Sequence, residues 1–160
     1  MVGNWARNQR NDQRLRYIES VTKEAKIINI YSALESRRVI SSIFFPGSFG
    51  KRIDLTENQH TIQASVINIA NGAEIKAHRH LNQLRETHRT QEVWIIQEGF
   101  AKIAIYDIDD TFICHQEVTV GCIVVLLDGG HGIESLTPNL ILAEIKNGPY
   151  RGSRADKLSI

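Results

Sequence analysis

The sequence predicts an all-β fold, a single-domain antiparallel β-barrel of the jelly-roll type. Its 160 residues suffice for one domain with a substantial core. Over residues 61–146, short apolar segments alternate with turn residues at regular spacing. This spacing is typical of β-sandwiches and β-barrels rather than of α/β folds.

Nine segments have the short, apolar-rich character of β-strands and are bounded by residues that favour turns. They cover residues 39–45, 61–70, 74–80, 92–97, 100–106, 112–118, 121–127, 132–136 and 140–146. Asn71-Gly72 is a typical turn dipeptide between two of them. Before the strands, apolar side chains in residues 13–30 recur near helical spacing and predict a helix.

The prediction divides the chain into three parts. Residues 1–58 form an N-terminal extension, with the helix and one strand, that packs on the barrel. Residues 59–148 form the barrel, and residues 149–160 form a polar C-terminal tail.

Composition excludes several classes of protein. The 19 Lys and Arg residues nearly balance the 18 Asp and Glu residues, so we expect no nucleic-acid partner. The longest apolar run, residues 122–127, is too short to cross a membrane, and residues 1–16 contain no apolar stretch typical of a secretory signal. We therefore expect a cytoplasmic protein without a membrane partner. In that compartment Cys114 and Cys122 are expected to be free thiols.

Histidines and a carboxylate cluster in one part of the sequence. His78 and His80 are two residues apart, so on a strand both side chains leave the same face. Glu92 is the first residue of a later predicted strand, and His131 follows the glycine pair that comes after another predicted strand. Three imidazoles and one carboxylate suit a divalent transition metal, namely Fe, Mn, Ni, Co, Cu or Zn. The simpler alternative for Glu92 is an ion pair with Arg85 or Arg89.

These residues form motifs that resemble the cupin superfamily. Gly72-x5-His78-x-His80, followed by Glu92-x6-Gly99, is similar to the first cupin motif, and residues 121–131 are similar to the second. The resemblance implies a metal site made of His78, His80, Glu92 and His131. His88-x3-Glu92 also has the spacing of the first motif, so either His88 or His131 is the further metal ligand.

A closer resemblance is to a group of small bacterial cupins often encoded near surface-polysaccharide and sugar-nucleotide enzymes. It is carried by His78, His80, Arg85, Thr90 and Glu92, and then by Gly-Gly-His-Gly-Ile-Glu over residues 129–134 and Glu-Ile-Lys-Asn-Gly-Pro-Tyr over residues 144–150. It implies a small-molecule ligand such as a sugar nucleotide, isomerised or epimerised with the help of the metal.

Three residues are candidates for a catalytic role. The Arg85 guanidinium can bind a carboxylate or phosphate, the Tyr106 side chain can act as an acid, and the Glu134 carboxylate can orient the His131 imidazole. Core packing is the alternative for Tyr106, as it is for Trp94. Two other functions stay open, an Fe(II)-dependent dioxygenase and a non-catalytic ligand-binding or sensor protein. We also expect a homodimer.

Overall fold

The computed structural model describes residues 23–150 and 152–160. Within these residues the chain forms ten strands and one helical turn. They are β1 (Lys26–Tyr31), β2 (Val39–Phe45), β3 (Arg52–Asp54), β4 (Ser65–Ile67), β5 (Glu92–Glu98), β6 (Phe100–Tyr106), β7 (Phe112–Thr119), β8 (Ile123–Leu126), β9 (His131–Ser135), β10 (Ile141–Lys146) and α1 (Ser153–Asp156).

All strand pairs are antiparallel, and the strands form three sheets. The largest has five strands in the order β1-β2-β8-β5-β10, the next has the order β7-β6-β9, and β3 pairs with β4. None of the sheets formed by the described residues closes into a barrel. The antiparallel strand pairs confirm the prediction of an all-β, antiparallel fold, whereas closure of the sheets into a barrel is not observed.

The main core lies between the five-stranded and the three-stranded sheet. Every second residue of β6, namely Ala101, Ile103 and Ile105, is completely buried and packs against side chains of the larger sheet such as Trp94 and Val124. This period of two is what a strand with one covered face requires.

The opposite face of the five-stranded sheet carries a second core. Phe44, Val93 and Val125 are buried there, and Ile53 and Val66 of the β3-β4 pair pack against them. Because both of its faces are covered, the middle of this sheet is apolar on consecutive residues, as Val124, Val125 and Leu126 show.

Local pattern predicted most strands within one or two residues, but it missed β3 (Arg52–Asp54), and three further predictions were wrong. Residues 26–30 of the predicted helix form β1, paired with β2, while residues 13–22 lie outside the described part of the chain. In the predicted strand 61–70, only Ser65–Ile67 is extended and paired. Residues 74–80 form no strand, because no neighbouring backbone lies beside them to complete a ladder.

Two further findings bear on the composition-based expectations. Cys114 and Cys122 both carry free thiols, as predicted. No helix within residues 23–150 and 152–160 is long and apolar enough to cross a membrane. β1 and β2, which belong to the predicted N-terminal extension, are members of the five-stranded sheet.

Candidate metal centre

Glu92 and His131 come together at one end of the main core. Glu92 is the first residue of β5, between β8 and β10, and His131 is the first residue of β9 in the facing sheet. The His131 Nε2 atom lies 3.5 Å from Glu92 Oε2. The imidazole also meets the ring of Trp94 edge to face, with 5.1 Å between the ring centres. The two sheets therefore contribute one polar group each to the same point.

The turn before β9 places His131 at this point. Gly129 has a φ of 62°, in the left-handed region, and a Cβ atom there would lie 2.3 Å from the Tyr106 carbonyl oxygen. Only glycine allows both the backbone angle and this close approach. Gly130 then exchanges backbone hydrogen bonds with Tyr106, which starts the pairing of β9 with β6.

Electrostatics keep the Glu92 carboxylate ionised although it is buried. The polar contact with His131 lowers the pKa of Glu92 by more than burial raises it, and Lys157 and Lys146 lower it further. Burial disfavours the charge of Lys146, but Glu144, Glu92 and Asp156 outweigh this effect and raise the pKa of Lys146. A charged carboxylate and a charged ammonium group thus lie side by side, with 3.8 Å between Lys146 Nζ and Glu92 Oε1.

Two buried atoms of this pair have no hydrogen-bond partner, Glu92 Oε2 and His131 Nδ1. An unsatisfied buried carboxylate oxygen is costly and is usually explained by a bound water or ion. Carboxylate oxygen and imidazole nitrogen are both ligands of divalent transition metals. The two residues therefore fit a role as metal ligands.

A cavity of about 390 Å³ opens beside this pair, in the size range of small-molecule sites. Its wall includes Glu92, His131 and the cations Arg89 and Lys157. The C-terminal residues form another part of the wall, and the Ile160 side chain packs against Gly130. The cavity is charged on several sides, which suits a polar ligand better than an apolar one.

His78 and His80 lie elsewhere, in a stretch that we call the exposed segment, residues 68–90. Every residue in it is exposed, and none belongs to a helix or a strand. The two imidazole rings meet edge to face, with 5.3 Å between their centres. Among the described residues, no group of three or more His, Cys, Asp or Glu side chains is placed to hold a metal ion. The structure thus places the four predicted ligands in two separate pairs, Glu92 with His131 and His78 with His80.

The other candidates lie outside the cavity wall. Arg85 and His88 belong to the exposed segment. Tyr106 packs its ring against Phe112, with 5.7 Å between the centres. Glu134 pairs with Lys102, with 2.5 Å between the charged atoms, and does not contact His131. Trp94 is buried in the main core.

Sequence reasoning missed Lys146 and assigned Arg89, the alternative partner of Glu92, to the wrong carboxylate. Lys146 lies beside Glu92 because β10 pairs with β5 in a register that places the two residues opposite each other. Arg89 pairs with Asp128 and not with Glu92. Neither contact has a local signal in the sequence, since each joins residues far apart in the chain.

Comparison with known proteins gives no matching family model, curated protein or solved structure. The resemblance to cupins therefore depends on the motif residues.

Proposed function

We propose that this protein binds a divalent transition metal through Glu92, His131, His78 and His80, within a jelly-roll fold of the cupin type. The observation that carries the proposal is the pair of buried Glu92 and half-buried His131, each with a buried polar atom that has no hydrogen-bond partner, at the wall of a charged cavity. The ligand set is complete when residues 74–80 form a strand that brings His78 and His80 to this pair.

The ligand class follows from the charges around the cavity. Arg89 and Lys157 line it together with the carboxylates of Glu92, Asp110 and Asp156. Cationic side chains of this kind bind phosphate groups, and carboxylates accept hydrogen bonds from sugar hydroxyl groups. Lys146, held charged by three carboxylates, adds a hydrogen-bond donor beside Glu92. We propose a phosphorylated sugar or a sugar nucleotide as the ligand, and isomerisation or epimerisation as the reaction. When bound, the metal supplies Lewis acidity toward a carbonyl or hydroxyl oxygen of the sugar.

Elemental analysis of the purified protein tests the metal site. The wild type is expected to hold close to one metal ion per chain, before or after incubation with Zn²⁺. His78→Ala/His80→Ala is expected to lose it, and His60→Ala/His115→Ala is the matched control that keeps it. Absence of metal from the wild type after reconstitution, or equal loss in both double variants, would overturn the proposal.

The reaction is tested separately with sugar nucleotides in deuterated water. Isomerisation or epimerisation next to a carbonyl exchanges a carbon-bound proton, so deuterium enters the sugar and no oxygen is consumed. Oxygen uptake with Fe²⁺ would indicate the dioxygenase instead. Tight binding without either signal would indicate a ligand-binding protein.

A further inference from the structure

A second cavity, of about 300 Å³, adjoins the cavity beside Glu92 and His131 at Arg89, which lines both. Arg37 and Arg38 also belong to its wall, and we call it the arginine cavity. A guanidinium group carries a permanent positive charge and five N–H donors in a planar fork. Three such groups at one cavity of small-molecule size suit an anion with several oxygen atoms.

Asp128 holds two of the three arginines in place. Arg38 Nε donates to Asp128 Oδ2 over 2.8 Å, and Arg89 Nη1 pairs with the same oxygen. Arg38 is also paired through Nη1 with Glu35, over 2.6 Å. Arg89 makes this one side-chain contact with the described residues, so its Nη2 and Nε groups remain for a ligand. The carboxylate thus orients Arg89 without using up its donors.

Arg37 has a backbone conformation that side chains other than glycine rarely adopt. Its φ is 65°, in the left-handed region. The surrounding turn fixes this angle, because the Arg38 amide donates to the Glu35 carbonyl over 3.2 Å and the Ser32 amide donates to the Arg38 carbonyl over 2.9 Å. None of the described residues forms an ion pair or hydrogen bond with the Arg37 guanidinium group. A strained arginine with no partner of this kind is expected where the side chain serves a ligand.

The loop after β3 forms another part of the wall, with Glu57 and His60. Gln91, which is buried, fixes this loop, because its Oε1 atom accepts hydrogen bonds from the Thr61 hydroxyl over 2.8 Å and the Ile62 amide over 2.9 Å. Carboxylates and imidazoles bind hydroxyl groups. The arginine cavity therefore combines cations with groups suited to hydroxyls, and its wall is held in place by the fold.

We propose that the arginine cavity is a second ligand site, which binds a phosphorylated, hydroxyl-bearing small molecule through its phosphate group. Arg37 and Arg89 supply N–H donors to the phosphate oxygens, and Glu57 and His60 bind hydroxyl groups of the same molecule. Neither Glu92 nor His131 lines this cavity. The inference therefore stands or falls independently of the proposed metal site.

Arg37→Gly tests the site, with glucose 1-phosphate as the probe and titration calorimetry as the measurement. Loss of the guanidinium contact is expected to raise the dissociation constant by about tenfold or more, because hydrogen bonds between charged groups are the strong ones. The same change should raise Tm without ligand by about 3 °C, because glycine relieves the backbone strain. A variant that is more stable and yet binds more weakly has lost a ligand contact and not its fold.

Arg52→Ala is the matched control, because Arg52 lies in β3, is exposed and does not line the arginine cavity. It should bind glucose 1-phosphate within about twofold of the wild type, since exposed charges contribute little. Unchanged affinity of Arg37→Gly, an equal loss in Arg52→Ala, or no binding by the wild type would overturn the inference.

The imidazole resonances of the protein locate the probe. Glucose 1-phosphate at constant pH should shift those of His60, which lines the arginine cavity, and leave those of the exposed His115 unchanged. The Glu92→Gln/His131→Ala variant should show the same shift of His60. Loss of the shift in that variant would place the phosphate in the cavity beside Glu92 and overturn the inference.

Glucose and inorganic phosphate distinguish the parts of the ligand. Glucose 1-phosphate is expected to bind more tightly than either, because it supplies both the phosphate and the hydroxyl groups. Equal affinity for glucose would overturn the role of the phosphate group. Equal affinity for inorganic phosphate would show that the free ion is the ligand and would overturn the assignment of a phosphorylated small molecule.

Discussion

The Glu92 carboxylate is the group on which the proposed metal site depends most. Its buried oxygen without a partner lies beside His131, and the polar contact with His131, assisted by Lys157 and Lys146, lowers the pKa of Glu92. Glu144 is the natural comparison, because it contacts the same Lys146 from an exposed position, with 3.3 Å between the charged atoms. The two carboxylates therefore compare the proposed metal ligand with an exposed charge that contacts the same lysine.

Glu92→Gln is expected to weaken Zn²⁺ binding by about 100-fold or more, because a neutral amide replaces an anionic ligand. Glu144→Gln should leave the affinity within about twofold, because surface charges contribute little. Titration calorimetry measures both. Equal affinities of Glu92→Gln and the wild type would show that Glu92 is not a ligand.

Asp107 is a buried carboxylate with a structural role. Its two oxygens accept hydrogen bonds from the amides of Ala33, over 2.7 Å, and Ile108, over 2.8 Å. Burial raises the pKa of Asp107, but the hydrogen bonds from Ser32 and from these amides outweigh it and hold the pKa below its ordinary value of 3.8. The residue joins the turn after β1 to the end of β6.

Asp107→Asn is expected to lower Tm at pH 7 by about 5 °C, because one amide oxygen cannot replace two anionic acceptors. Since the folded pKa is depressed, the contribution is complete above about pH 5 and is lost as pH falls through the folded value. The Tm difference from the wild type should therefore shrink in melting curves taken toward pH 3. Asp109→Asn, at an exposed position of the same turn, is the control, and a difference that does not depend on pH would contradict this account.

At the scale of elements, the turn at Gly129 controls where β9 begins. Gly129→Ala is expected to cost about 3 kcal/mol of unfolding free energy, because it combines backbone strain with a clash against the Tyr106 carbonyl. Gly72→Ala is the matched control, since Gly72 also has a positive φ, of 79°, and open space around it. It should cost only about 1 kcal/mol. Chemical denaturation measures both, and equal losses would show that the close approach does not matter.

The exposed segment contains trypsin sites, Lys76, Arg79 and Arg85. If His78 and His80 bind the metal, Zn²⁺ holds the segment in place and should slow cleavage at Arg79 by about tenfold. Limited proteolysis with and without Zn²⁺ measures the rate. His78→Ala/His80→Ala should show no such protection. If Zn²⁺ does not change the cleavage rate of the wild type, the exposed segment does not take part in the metal site.

Local pattern predicted most of the strands, and it singled out Glu92 and His131, which the fold brings together; its failures have physical reasons. Residues 39–45 and 100–106 were predicted as the strands β2 and β6, because alternation is a local property. Residues 74–80 have the same alternation, but a strand forms only where a neighbour completes the ladder. Glu92 and His131 were identified by residue type, whereas Lys146 enters the site through strand register, which local pattern does not give.

At the scale of the whole molecule, the proposed metal site lies where the two large sheets meet. Glu92 belongs to the five-stranded sheet and His131 to the three-stranded sheet, so an ion held by both links the two halves of the main core. Zn²⁺ at 100 times its dissociation constant should stabilise the folded protein by about 2.7 kcal/mol. This corresponds to a rise in Tm of roughly 5–10 °C.

Melting curves with Zn²⁺ and after removal of Zn²⁺ by a chelator measure this stabilisation. The rise should be reversible and should be absent from a Glu92→Gln/His131→Ala variant. An equal rise in that variant would place the ion elsewhere on the protein.

The most direct test of the metal site is X-ray absorption spectroscopy of the Zn²⁺-loaded protein, which counts the imidazoles around the ion. The account predicts three imidazole nitrogens and one carboxylate oxygen at about 2.0–2.2 Å. His78→Ala/His80→Ala should leave one imidazole at most. A wild-type spectrum with a single imidazole, or with none, would contradict the claim that His78 and His80 join Glu92 and His131.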